Sequence, residues 1–291
     1  MGTADVNVRV SFENILYATD FSRYSYSALP YARSIAGKYG SRIVAVHVIS
    51  LSPFTTSSPT QAWQAMVAQA VRESKEAMKG LEPQWKGIPH ETLVRRGNIW
   101  TELSTIIGEK AIDLIITGTH GRTGISKLIM GSVAETIFRH APCPVLTIGP
   151  DISGEPDSFA DIHTILYPTD FRPESLTAAS YAISLAQENQ ARLYLLHVVE
   201  SAASVEEEAS LRNRLRSLVP PEAELSCAPK ALVEFGTAAQ KILDLTEELA
   251  VDLIVLGPKR TPMVPGGTHL GVSTAYKVAS QAICPVLTVR R

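Results

Sequence analysis

Cysteine is scarce. Cys143, Cys227 and Cys284 are the three in 291 residues, too few and too widely spaced for a disulfide framework or a cysteine-ligated zinc site. Long apolar runs are missing as well: none reaches the roughly 18–20 residues of a membrane span. Charge of one sign is missing too, with 27 Lys and Arg against 29 Asp and Glu, so no basic face for non-specific nucleic-acid binding is expected. Met1 to Glu13 lacks the apolar core of a secretory leader. What is present is 45% hydrophobic and 19% charged residues, enough apolar surface for a sizeable core. The expectation is a soluble, cytoplasmic chain of two domains.

The chain contains one unit written twice. Ile15-Leu16-Tyr17-Ala18-Thr19-Asp20-Phe21 returns as Ile165-Leu166-Tyr167-Pro168-Thr169-Asp170-Phe171, and 15 of the 34 positions from Ile15 to Val48 are identical at an offset of 150. Gly97 and Asp113 match Gly236 and Asp252 at an offset of 139. Cys143-Pro144-Val145-Leu146-Thr147-Ile148 matches Cys284-Pro285-Val286-Leu287-Thr288-Val289 at an offset of 141. A period this long belongs to a duplicated domain and not to a solenoid. The expected boundaries are 1–150, a polar linker at 151–160 that holds Gly154 and Pro156, and 161–291.

Within each copy, short apolar β-rich runs alternate with longer segments of helical period. The first copy predicts strands over 14–18, 42–48, 90–95, 112–117 and 143–148, with helices over 24–38, 61–80, 98–109 and 132–140. Runs such as Ile112-Asp113-Leu114-Ile115-Ile116 suit strands covered on both faces. The expected fold is α/β: two tandem doubly wound domains, each a five-stranded parallel sheet flanked by helices. Ligands of such sheets bind beyond the carboxyl ends of the strands, where the strand order switches.

Three segments therefore matter. After strand one comes Asp20, which can accept from ribose hydroxyls or base amines, hold a metal through water, or cap the helix near Ser22. After strand two, His47-Val48 recurs as His197-Val198, and a hydrogen-bonded structural histidine is favoured over a catalytic one. After strand four, Gly118-Thr119-His120-Gly121-Arg122-Thr123-Gly124 leads through Lys127 to Gly131-Ser132 at a helix start. Such a loop can turn its N–H groups around phosphates, with the helix N-terminus favouring an anion. The other reading is a glycine-rich connection with Ser132 as an ordinary N-cap. No Gly-Lys-Ser/Thr follows the glycines, so the loop is not of the Walker type. Cys143 and Cys284 lie in apolar contexts and are expected to be small buried residues.

These residues resemble the universal stress protein family. The resemblance rests on Tyr17-Ala18-Thr19-Asp20-Phe21-Ser22, on His47-Val48, on Gly118-x-x-Gly121 followed nine residues later by Gly131-Ser132, and on Cys143-Pro144-Val145-Leu146. It implies a strand order of 3-2-1-4-5 in each half, a fold akin to the adenine nucleotide alpha hydrolases, and ATP binding with Mg²⁺ (or Mn²⁺). By the same resemblance, Thr19, Asp20 and the backbone of Val48 would hold adenosine. Gly118, His120, Gly121, Arg122, Gly131, Ser132 and Val133 would line the phosphates. It also implies pairing through the last strands, made internally by the two halves or between two chains as a homodimer.

The second copy departs from this pattern. Gly257 matches Gly118, but Arg260 replaces Gly121 and Val272 replaces Gly131. A β-branched residue resists positive φ and adds bulk beside a phosphate. Pro258, Pro262 and Pro265 remove N–H donors, although Gly266, Gly267 and Gly271 offer another anion nest. The expected function is a nucleotide-dependent stress-response or signalling module that binds ATP in its first half. Two alternatives stand beside it. One is a slow ATP-hydrolysing or nucleotidyl-transferring enzyme acting by positioning and charge, since no base or nucleophile is clearly placed. The other is a nucleotide-independent scaffold.

Overall fold

Alternating β-branched runs and amphipathic helices fold as their periods dictate. A computed structural model describes residues 10–50, 61–119, 130–149, 152, 162–201, 204–258 and 273–290. In the first half, β1 (Asn14–Ala18), β2 (Arg42–Ser50), β3 (His90–Gly97), β4 (Leu114–Gly118) and β5 (Val145–Ile148) alternate with α1 (Arg23–Ser27), α2 (Leu29–Tyr39), α3 (Gln61–Leu81), α4 (Ile99–Glu109) and α5 (Ser132–His140). In the second, β6 (Thr164–Pro168), β7 (Arg192–Val199), β8 (Lys230–Phe235), β9 (Leu253–Leu256) and β10 (Val286–Thr288) alternate with α6 (Pro173–Asn189), α7 (Val205–Arg216), α8 (Ala238–Glu248) and α9 (Thr274–Gln281). Every residue of β4 and of β9 is buried, as strands covered on both faces require.

Each half is a parallel sheet of order 3-2-1-4-5, and the described strands join into one sheet of ten, β3-β2-β1-β4-β5-β10-β9-β6-β7-β8. The join is the antiparallel pair β5–β10, with Leu146 opposite Leu287. Thr147 Oγ1 donates to the Val286 carbonyl and Thr288 Oγ1 to the Val145 carbonyl, each at 3.2 Å, so a local pseudo-twofold axis passes between the two leucines. On one face a single apolar cluster runs through both halves, including Ile15, Tyr17, Ile35 and Trp85 with Ile165, Tyr167 and Leu185. On the other face the cluster of the second half includes Met130, Ala134 and Phe138 from the first.

One expected helix is two. Residues 24–38 break at Ala28, with Pro30 in the first turn of α2. Proline lacks the N–H that would continue the ladder, and its ring crowds the carbonyl four residues back. The second copy has Ser180 there, and α6 runs unbroken.

The repeated aspartates before β4 and β9 fasten the starts of β1 and β6. Asp113 accepts from the backbone N–H groups of Glu13 (2.6 Å) and Asn14 (3.1 Å), and Asp252 from those of His163 and Thr164, both at 2.8 Å. Burial lifts the Asp113 carboxyl above its ordinary value, although these N–H bonds act against the shift. Asp113→Ala strips two backbone donors of their acceptor and is expected to lower stability by about 1–3 kcal/mol, measured by urea denaturation.

Candidate functional site

The switch in strand order lies between β1, with β2 on one side, and β4 on the other. There the chain leaving β1 makes a tight turn that recurs in both copies. Thr19 Oγ1 accepts from the Phe21 N–H at 3.0 Å, Asp20 Oδ1 from the Ser22 N–H at 3.0 Å, and Ser22 Oγ caps α1 by accepting from the Ser25 N–H. The cap is thus Ser22, while Asp20 closes the turn before it. These bonds hold Phe21 at φ 62°, a left-handed conformation that costs a bulky residue about 1–3 kcal/mol. Phe171 repeats it at φ 61°. The Tyr17 phenol, pushed above its ordinary value by burial, donates to the Ser25 carbonyl at 2.7 Å and ties α1 to β1.

His47 belongs to this frame. Its Nδ1 lies 2.8 Å from the Thr19 carbonyl, and a carbonyl only accepts, so Nδ1 carries the proton. Its ring also packs on Phe21 with centroids 4.5 Å apart. His197 repeats both contacts at 2.8 Å and 4.7 Å. The duplicated histidine therefore fastens the end of one strand to its neighbour.

Beyond the ends of these strands lies a small open cleft of about 30 Å³, lined by Ala18, Thr19, Asp20, Val46, His47, Val48, Ile99, Leu103 and Val133. Four of the expected site residues, Thr19, Asp20, Val48 and Val133, thus share one cleft. Ile99 and Leu103 of α4 form an apolar wall that the motif spacing did not reveal; the period of that helix was the available clue. The Val46 carbonyl accepts from the Thr19 N–H at 3.0 Å. Because successive residues of a parallel strand address opposite neighbours, Val48 directs its backbone groups to the same side, where β1 has ended.

The helix after β4 completes the site's geometry. Gly131 is the N-cap of α5 and Ser132 its first helical residue, so Ser132 is not the cap. Gly131 has no side chain with which to cap the first-turn N–H groups. Its own N–H is engaged, donating to the Thr119 carbonyl at 2.7 Å and closing the neck of the loop between them. Gly131 sits at φ −62°, within reach of any residue, so positive φ is not what the glycine provides there. Gly118 has a packing reason of its own: a Cβ would stand 2.3 Å from the Tyr24 carbonyl oxygen. Gly257 repeats that close approach, 2.2 Å from the Glu174 carbonyl oxygen, which explains why the second copy keeps this glycine. His120, Gly121, Arg122 and Lys127 lie outside the described residues, as do Arg260, Pro262, Pro265, Gly266, Gly267, Gly271 and Val272.

The second copy presents a different arrangement. Ser273 Oγ caps α9, accepting from the Tyr276 N–H at 3.2 Å. Asp170 accepts from the Ser175 hydroxyl at 2.7 Å and faces Arg172 Nε at 3.5 Å. Among the described residues no group of three His, Cys, Asp or Glu is placed to hold a metal ion.

With this geometry in place, comparison with known proteins is decisive for the family. The profile of the universal stress protein family matches residues 11–149 and again residues 161–290. The chain belongs to the universal stress protein family. A universal stress protein of Methanocaldococcus jannaschii is 31% identical over 140 residues, 47% of this chain and 82% of the relative. One from Thermus aquaticus is 33% identical over 141 residues, 47% of this chain and 98% of the relative. Among solved structures, a universal stress protein from Archaeoglobus fulgidus superimposes with a TM-score of 0.67 at 21% identity, covering 96% of this chain and 98% of that one. A Pseudomonas aeruginosa protein superimposes with a TM-score of 0.61 at 20% identity, covering 96% and 92%. The family's tandem fold therefore extends across both halves. Among the described residues no helix is long and apolar enough to cross a membrane.

The cysteines are not part of the cleft lining. Burial pushes the Cys143 thiol up to about 12, with the Asp113 charge adding to the shift, and burial likewise lifts Cys284 to about 12 with help from Asp252. Cys227 is exposed. A thiol-disulfide reagent at pH 8 is expected to modify Cys227 alone in the folded chain and all three thiols in denaturant; rapid labelling of three in the native state would contradict this.

Proposed function

We propose that the N-terminal half of this universal stress protein binds an adenine nucleotide, ATP with Mg²⁺ (or Mn²⁺), and acts as a nucleotide-dependent stress-response or signalling module. The observation that carries this reading is one cleft that joins an apolar slot to the Asp20 carboxylate and opens on the N-terminal turn of α5 through Val133. A flat base suits Val46, Val48, Ile99 and Leu103, with its polar edge toward the Val48 backbone. Ribose hydroxyls suit Asp20 and Thr19. The phosphates suit the first turn of α5, where the helix dipole and N–H groups favour an anion and Gly131 leaves room. Gly118, His120, Gly121, Arg122 and Ser132 join this side of the proposal on the loop's sequence spacing. The described residues offer no metal cage, so the divalent ion would be held chiefly by phosphate oxygens and water, as Mg²⁺ commonly is.

The second half is proposed to leave its site empty of nucleotide. Ser273 already satisfies a first-turn N–H of α9, and Arg260 and Val272 replace Gly121 and Gly131 in the sequence. Mass spectrometry of the intact native protein tests the reading: one adenine nucleotide per chain is expected, and two would overturn the inequality of the halves.

Two substitutions probe the cleft in the full chain. Gly131→Val is compatible with the observed backbone but fills the space above the helix amides. It is expected to weaken ATP at least about tenfold without changing the melting temperature; unchanged affinity would place the phosphates elsewhere. Asp20→Ala is expected to weaken ATP, ADP and adenosine together by about tenfold or more, with inorganic triphosphate unaffected. Asp20→Asn, which keeps an acceptor for the Ser22 N–H, separates loss of charge from loss of the turn.

A further inference from the structure

Helix α5, which carries the proposed anion end, is gripped from the other half of the chain. At its start, the Met130 N–H, one residue before the N-cap, donates to the Tyr276 Oη of α9 at 3.1 Å. Met130 is itself buried in the cluster of the second half, among Ala275, Val278 and Ala279. At the far end, the Arg290 guanidinium donates to the carbonyls of Phe138 and Arg139, in the last turn of α5 where helix carbonyls lack intrahelical partners. Between the two, the Phe138 ring meets Tyr276 edge-on at 5.9 Å, and the Arg139 guanidinium lies 5.9 Å from the same ring.

The grip is one-sided although the seam is nearly symmetric. At the offset of 141 that relates the two ends, the counterpart of Tyr276 is Glu135 and that of Arg290 is Gly149. Glu135 is engaged within α5 by Arg139 at 2.7 Å. Gly149 has no side chain to extend, and a Cβ there would stand 2.9 Å from the Ala282 carbonyl oxygen at the end of α9. Neither can return to α9 what Tyr276 and Arg290 give to α5.

We propose that the C-terminal half is a clamp for the nucleotide site of the N-terminal half, with Tyr276 and Arg290 as positioning residues that hold the anion end of α5 against its own sheet. The proposal rests on the nucleotide reading of that site. The neck of the loop then has two anchors, the Thr119 carbonyl from its own half and Tyr276 from the other. Burial raises the pKa of the Tyr276 phenol above its ordinary value, and its Oη accepts from Met130. Such a clamp acts on phosphate binding and leaves the adenosine slot alone, because none of the slot's lining residues touches Tyr276 or Arg290 through these contacts.

The test uses the full chain as wild type, Tyr276→Phe and Arg290→Gln, with ATP and adenosine binding measured by calorimetry and amide exchange at Met130–Ala134 measured without ligand. Tyr276→Phe keeps the ring against Phe138 and removes only the acceptor, so folding is preserved. Expected are a loss of about threefold to tenfold in ATP affinity for each variant, unchanged adenosine affinity, and faster exchange at Met130–Ala134. Equal ATP affinity in wild type and both variants would overturn the clamp and leave the nucleotide site standing. Equal losses for ATP and adenosine would also overturn it, since the effect would not be confined to the anion end. A wild-type chain that binds neither ligand overturns the site itself; unaltered exchange in the variants would then remove the clamp independently.

Discussion

The pairing of β5 with β10 is the constraint from which the rest of the molecule follows. Each half ends its sheet in a short apolar strand, and a strand of that kind leaves a row of backbone donors and acceptors needing partners. Duplication within one chain supplies the partner without any association step. The antiparallel ladder, centred on Leu146 and Leu287, turns two five-stranded sheets into one of ten. It also brings α5 beside α9, so that Met130, Ala134 and Phe138 complete the core of the second half.

That packing makes the halves inequivalent in a way their folds are not. Both copies build the same strained turn after their first strand, fasten it with the same histidine, and place a glycine where the end of strand four meets the first helix. The left-handed Phe21 and Phe171 cost conformational strain in each copy and are kept in each, which marks the turn as a requirement of the frame. The differences gather at the helix that follows strand four. In the first half it begins at a residue with no side chain; in the second it begins at a serine that caps it.

Much of the fold was legible because period and punctuation determine it locally. Strand boundaries in the first half fall within a few residues of the apolar runs, since strands buried on both faces leave little choice of residue. The split of the first helix followed from Pro30, a signal present in the sequence and outweighed there by the helical period on either side of it. The site was half legible. Asp20 and Val48 could be placed by their positions after strands and Val133 by the family resemblance, but Ile99 and Leu103 look like ordinary core residues of an amphipathic helix until the cleft exists. The glycines were legible as glycines and not as to purpose: Gly118 answers to a neighbouring helix backbone, and Gly131 does not sit at positive φ.

By itself, then, the sequence determined the duplication and the strand–helix alternation, while the order of the strands came from the family resemblance. The alternation is set by local hydrophobic period, and the duplication by the repeat of whole motifs. The tertiary structure alone decided which distant side chains meet: Tyr276 with the start of α5, Arg290 with its end, and α4 with the cleft. The contacts of Tyr276 and Arg290 depend on the seam between β5 and β10. A seam is a relation between two distant edges, and no local pattern encodes what lies on its far side.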